Sequence, residues 1–243
     1  MHEQLPFTAL LNRLFAGPVT ALLHALGIHP HDAHAPIPNY VAMQILVFIL
    51  LVLFFVIVRS RLSVGKPGIL QHMMEGVHGF VSGLGKEIVG HGHERFDSFL
   101  ITLGLFILTA NLIGMIPSLE SPTAIPSVPL GCAIVTWFYY HTQGFRTNGI
   151  GYVKHFMGPV MALAPLMFVI EIISHLARVM SLTVRLFANI FAGDMLTLAF
   201  FSLVPIGVPV VFLGLHLGVS LIQTYIFVLL ATVYLSEAAA HEH

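Results

Sequence analysis

After Pro159 the chain presents an apolar, helix-patterned run of about 40 residues, ending near Leu203 and holding no glycine before Gly193. At 1.5 Å per residue that is roughly 60 Å of helix, about twice the thickness of a bilayer's hydrocarbon core. Only 9% of the 243 residues are charged, whereas a water-facing domain carries about 25%. The chain therefore reads as an all-α membrane protein, and the long run has to be strongly tilted, bent or broken. A soluble enzyme, a disordered tail and a secreted disulfide scaffold are all excluded. Cys132 is the one cysteine, so no intrachain disulfide can form. A net charge of −1 gives no electrostatic basis for binding nucleic acid.

The other segments divide residues 40–243 into a single membrane domain behind an extracytoplasmic segment, 1–39. Leu5 to Leu26 is apolar but interrupted by Arg13, Gly17 and Pro18, and no basic stretch precedes it, so it reads as an interfacial helix and not a signal peptide. Ala33-His34-Ala35 has the small-x-small look of a cleavage site, but Pro36 follows directly. Spans are predicted over 40–58, 99–116 and 128–140, the last of them short by the usual count. Residues 69–89 mix apolar positions with His72, Glu75, His78, Lys86 and Glu87, and predict an amphipathic helix on the cytoplasmic surface. Residues 160–203 and 211–236, joined by the Pro- and Gly-bearing turn 204–209, make a tilted helical hairpin. About five crossings result.

Basic residues orient the bundle. Arg59, Arg61, Lys66, Lys86, Arg95, Arg146 and Lys154, out of ten Lys and Arg in all, fall on one side of this topology. By the positive-inside rule the amino terminus and Glu120 lie outside and the carboxyl terminus lies in the cytoplasm.

Charged side chains in hydrocarbon cost at least about 2.5 to 3.5 kcal/mol each on insertion scales, yet the long run holds Glu171, His175, Arg178, Arg185 and Asp194. At about 100° per residue, Glu171, His175, Arg178, Arg185 and Asn189 share one narrow stripe, while Thr183 and Asp194 lie on another face. The returning helix carries its own stripe of His216, Ser220, Gln223 and Tyr234. Antiparallel packing through the turn sets Arg185 opposite Gln223, Glu171 opposite Glu237 and Asp194 near His216. Arg178 lies within a turn of Glu171 and His175, which suits a structural ion pair. Arg185 is about 21 Å from Glu171, its nearest carboxylate on that face, so its counter-ion is expected from another chain. Arginine cannot hand on a proton. Glu171 and His175 toward the cytoplasm, and Asp194 and His216 toward the outside, can. The pattern is two proton-accessible half-paths divided by a fixed cation.

Ser181-Leu182-Thr183-Val184-Arg185-Leu186-Phe187-Ala188-Asn189-Ile190-Phe191-Ala192-Gly193-Asp194 resembles the signature helix of the subunit a family of F-type ATP synthases. Asn111 to Pro117 and the segment from His216 to Ser236, with Gln223 and Val233-Tyr234-Leu235-Ser236, resemble it too, and together the likeness runs from about Tyr40 to the end. It implies a stator proton channel whose essential cation, Arg185, faces the carboxylates of a rotating ring of subunit c. It implies polar half-channel residues at Asn189, Asp194, His216 and Gln223 and a cytoplasmic-side carboxylate at Glu171. Partners implied are the c-ring, the peripheral stalk subunit b, membrane lipid and, indirectly, the catalytic head; the location implied is a bacterial inner membrane. Asp194 departs from the glutamate or histidine of many members and is one methylene shorter than glutamate.

No nucleotide site, cofactor or metal is expected in this chain. Gly85-Lys86 lacks the glycine spacing of a phosphate-binding loop. His24, His29, His31 and His34, and separately His91 and His93, lie without fixed helical spacing and read as solvated loop. The competing function is a self-contained proton-coupled secondary transporter, which normally shows internal repeats with paired broken helices; none is found. A purely structural scaffold leaves the insertion cost of Arg178 and Arg185 unexplained.

Overall fold

The computed structural model describes residues 4–25, 27, 35–63, 65, 67–116, 118–149, 151–152, 164–203 and 207–239. The described regular structure is helical throughout: α1 Pro6–Ala25, α2 Asn39–Ser60, α3 Ile69–Ile88, α4 Glu94–Ile113, a 3-10 turn Pro122–Ala124, α5 Ser127–Asn148, α6 Ala164–Leu203 and α7 Val208–Ala239. Ala33 and His34 of the cleavage-like triplet, His29 and His31, Lys66, Pro117, Lys154 and residues 204–206 of the turn lie outside the described residues.

The long run is one unbroken helix of 40 residues. Of the three ways to fit it into a bilayer, breakage is therefore excluded for residues 164–203. Its partner α7 has 32 residues, and the two form the largest helix pair in the fold, joined along the same seam by α5 and, against α7, by α4. Their core is aromatic and aliphatic: Phe96, Leu100, Ile107, Leu186, Ile190 and Leu235 are buried together. At Gly104 a Cβ would stand 3.0 Å from Val228 Cγ2, so α4 and α7 approach more closely there than a side chain on α4 permits.

Four helices are long and apolar enough to cross a membrane: Asn39–Ser60, Glu94–Ile113, Ala164–Ser202 and Val210–Ala239. The segment expected over 128–140 belongs to a helix of 22 residues, about 33 Å long. Its length suits a crossing, but its last turns carry His141, Gln143 and Arg146, and by composition it does not qualify with the other four. The helix beginning at Glu94 starts five residues before the expected 99, with Glu94 and Asp97 in its first turn, where carboxylates favour the positive end of the helix dipole.

α1 runs through Pro18 without stopping. It is tied to the start of α2 by Asn12, whose amide donates to Ile37 O at 3.1 Å and accepts from Ile37 N at 3.0 Å. Leu10, Leu14, Phe15 and Leu22 are left exposed on its other side. α3 packs on α4 and α7 and leaves Ile69, Met73 and Phe80 exposed.

Candidate functional site

The polar residues of α6 gather into three groups along its length. At the end near α5, Glu171 Oε1 lies 3.4 Å from His175 Nε2, one turn away. His175 is buried, and its Nδ1 is hydrogen-bonded to the Tyr140 hydroxyl of α5 at 2.8 Å. His141 follows Tyr140 in the chain; its ring lies 4.6 Å from that of His175. Tyr152, just beyond α5, is buried and its hydroxyl is pushed up to about 12 by that burial. Its hydroxyl is hydrogen-bonded to His141 Nδ1 at 2.9 Å.

Arg178 does not pair with Glu171 or His175, the partners expected from spacing. Its guanidinium bonds Glu237 of α7 and lies over the Tyr234 ring, 4.9 Å from its centroid. Glu237 accordingly stands beside Arg178 and not opposite Glu171, about two turns from where a constant antiparallel register puts it. The register holds at Asp194 with His216 and at Arg185 with Gln223, and long Arg and Glu side chains bridge the offset at Glu237.

Arg185 occupies the middle group. It is half-buried, and its guanidinium donates to Ser181 Oγ at 3.0 Å. Among the described residues no carboxylate pairs with it. It shares a narrow cleft with Gln223 and Ile226 of α7, as the register predicted. Asn189 is exposed and donates to Arg185 O at 2.7 Å. Around this cation the surface is apolar: Val184, Phe191 and Ile222 are 51%, 42% and 56% exposed. In water such a face is costly, and in a membrane it is free for lipid or another subunit.

The third group is the most buried. Asp194 Oδ1 lies 3.5 Å from Nδ1 of His216, which is 4% exposed. Nε2 of His216 reaches Asn111 O at 3.4 Å. Asn111 in turn accepts from Thr123 Oγ1 at 2.6 Å and turns its amide toward Ser220 O and Thr224 Oγ1, each at 3.5 Å. Ser121 Oγ lies 2.8 Å from Thr123 Oγ1 and donates to Ala110 O at 2.9 Å. The loop after α4 is thus folded back into the bundle. Gly114 makes room for it: a Cβ there would meet Ser121 N at 2.9 Å. Fully buried Ser220 Oγ has no hydrogen-bond partner among the described residues.

Glu171, His175, Arg185, Asn189, Gln223, Asp194 and His216 each lie in one of these groups, Arg178 pairs with Glu237, and Thr183 donates to Val179 O of its own helix. Tyr140, His141, Ser121 and Thr123 are among the residues that join them. Tyr140 and His141 carry a detectable signal, a phenol and an imidazole where an apolar helix meets its polar end. Ser121 and Thr123 sit in a proline-rich loop with no periodicity to place them.

The family model described as ATP synthase A chain matches residues 41–236. A protein named ATP synthase subunit a from Koribacter versatilis (strain Ellin345) is 64% identical over 244 aligned residues, covering 100% of both chains. One of the same name from Solibacter usitatus (strain Ellin6076) is 48% identical over 235 residues, 96% of this chain and 100% of the relative. One from Aquifex aeolicus (strain VF5) is 41% identical over 206 residues, 81% of this chain and 95% of the relative.

Proposed function

The chain belongs to the ATP synthase A chain family, and from that premise we propose how its residues carry protons. It is the stator proton-channel subunit of an F-type ATP synthase and a multi-pass protein of an energy-transducing membrane. The observation that carries the mechanism is Arg185, a cation on an exposed apolar face with no carboxylate partner among the described residues. Its partner in this reading is the carboxylate of a rotating ring of subunit c, docked on the face made by Val184, Phe191 and Ile222.

A proton enters from outside at Asp194 and His216, where the Asn111 and Thr123 network holds the imidazole, and reaches the ring beside Asn189 and Gln223. The neutralised ring carboxylate can then move into lipid. After a near-complete turn it comes back on the other side of Arg185 and releases its proton to Glu171 and His175, which open to the cytoplasm. Arg185 stays charged at any physiological pH and so cannot relay the proton between the two half-paths. Each proton therefore crosses only by way of the ring. The peripheral stalk subunit b holds this chain against rotation, and nucleotide chemistry stays in the catalytic head. The membrane is the bacterial inner membrane, with the carboxyl terminus in the cytoplasm.

Cross-linking tests the docking face. In a Cys132→Ser background, cysteine at exposed Ala188 should cross-link to a small two-helix subunit that copurifies in mild detergent, whereas cysteine at Phe48 on α2 should not. A chain that purifies alone, or cross-links equally from both positions, refutes the ring-docked stator and favours a self-contained transporter.

A further inference from the structure

We infer that Tyr140 is a positioning residue of the inner half-path: its hydroxyl sets the tautomer of His175, and so decides how the imidazole exchanges a proton with Glu171. The inference rests on the proposed function, because it matters only if Glu171 and His175 carry protons.

The geometry is a three-member line. Tyr140 OH meets His175 Nδ1 at 2.8 Å, and on the opposite edge of the same ring Nε2 meets Glu171 Oε1 at 3.4 Å. When Glu171 is ionised it only accepts hydrogen bonds, so Nε2 carries the hydrogen and Nδ1 holds a lone pair. That lone pair is buried and needs a donor, which is the Tyr140 hydroxyl. When the pair takes up a proton, His175 becomes the imidazolium: Nε2–H still faces Glu171, and Nδ1 bears the added hydrogen and donates to the Tyr140 oxygen. A hydroxyl serves both states because it donates and accepts; neither a carboxylate nor an apolar side chain does so.

Other ionisable groups surround the ring without taking this place. α5 adds His141, 4.6 Å away between ring centres and itself bonded to Tyr152. α7 adds Tyr234, 6.0 Å from the Tyr140 ring, and Glu237, held by Arg178. Tyr140 is 2% exposed, so it is packed too tightly to swing away.

The test is ATP-driven proton pumping into inverted membrane vesicles at a series of pH values, with subunit levels checked by blot. Tyr140→Phe keeps the packed ring and removes the hydroxyl. The rate near neutral pH should fall about three- to tenfold, the effect of one lost hydrogen bond. The shape of the rate-against-pH curve should change as well, because a cationic imidazole loses a stronger hydrogen bond than a neutral one. Scaling each curve to its own maximum separates that change from any loss of complex. The double variant Tyr140→Phe/His175→Gln should match His175→Gln alone, since Tyr140 acts through His175. Thr142→Val, on the exposed side of α5, should leave the curve's shape unaltered. A Tyr140→Phe curve that superimposes on the parent after scaling, or losses that add in the double variant, would overturn the inference. Arg185→Ala in the same vesicles separates the two readings. Continued pumping by that variant sinks the proton-channel mechanism itself, whereas its loss alongside an unchanged Tyr140→Phe curve sinks the positioning role alone.

Discussion

Replacing Arg185 by alanine should stop coupled proton pumping while leaving the subunit folded in the membrane. Within the described chain its guanidinium makes one side-chain hydrogen bond, to Ser181 at 3.0 Å, so folding should lose about 1 kcal/mol or less. Glu171, the nearest acid on its face, is about 21 Å along the helix. At an effective dielectric constant of about 20, that separation yields roughly 0.8 kcal/mol, against roughly 4 kcal/mol for a ring carboxylate at 4 Å. The difference, about 3 kcal/mol, is more than a hundredfold in any step that needs the ion pair. Pumping measured by dye quenching in inverted vesicles should therefore fall below detection, with the subunit still present on a blot. Passive proton conductance should rise, because the fixed charge that divides the half-paths is gone. Arg185→Lys should recover little, since a buried lysine can lose its proton and lacks the planar fork of donors. Assembled Arg185→Ala complexes that pump at more than about a tenth of the parent rate would refute the electrostatic reasoning.

At Gly193 a Cβ would lie 2.8 Å from His216 Nδ1, so Gly193→Ala should push the ring off Asp194 and slow pumping severalfold; unaltered pumping would remove His216 from the outer path. Arg178→Ala and Glu237→Gln should each lower subunit level or rate modestly without a proton leak, because their pair is 24% and 50% exposed and such pairs contribute about 0 to 1 kcal/mol. A leak matching that of Arg185→Ala would show that Arg178 also guards the barrier. Cysteine at Glu120 should label from the outer side of sealed vesicles and cysteine at Arg146 from the cytoplasmic side, and the reverse pattern would invert the topology drawn from the basic residues.

Much of the architecture is legible in local pattern. The 40-residue helix is announced by an apolar run whose one proline, Pro165, sits in the first turn and whose one glycine is Gly193, and the stripe that carries Arg185 follows from helical periodicity. The antiparallel register is good near the turn, where connectivity pins it: Asp194 meets His216 and Arg185 shares a cleft with Gln223. Farther away it misses Glu237, which pairs with Arg178 because long, flexible side chains choose partners by charge within reach and not by residue-number sum. α5 reads as too short because its polar final turns look like loop, yet Tyr140 and Gly144 stay buried at helical spacing to its end. The buried return of Ser121 and Thr123 has no local signal at all; it is fixed by tertiary contacts with Ala110 and Asn111.

In the proposed mechanism a path on one side of the hairpin has to serve a ring on the other, and the placement of Gly193 bears on how. Leu182, Leu186 and Ile190 are buried and run, at spacings of four, along the face of α6 that meets the bundle core, and Gly193 continues that line. Successive residues turn by about 100°. Arg185, one before Leu186, thus lies to one side of the seam, and Asp194, one after Gly193, lies to the other. Apolar side chains close the seam at Leu182, Leu186 and Ile190, so a proton arriving beside Asp194 is walled off from Arg185 and the ring face. At Gly193 the wall has no side chain, and the His216 ring of α7 stands in the gap, 2.8 Å from where a Cβ would be. An imidazole offers a nitrogen on each edge, here toward Asp194 and toward Asn111 O. In the proposed outer half-path, His216 therefore fills the one gap in that wall beside Asp194, and the glycine opposite it is what leaves room for the ring.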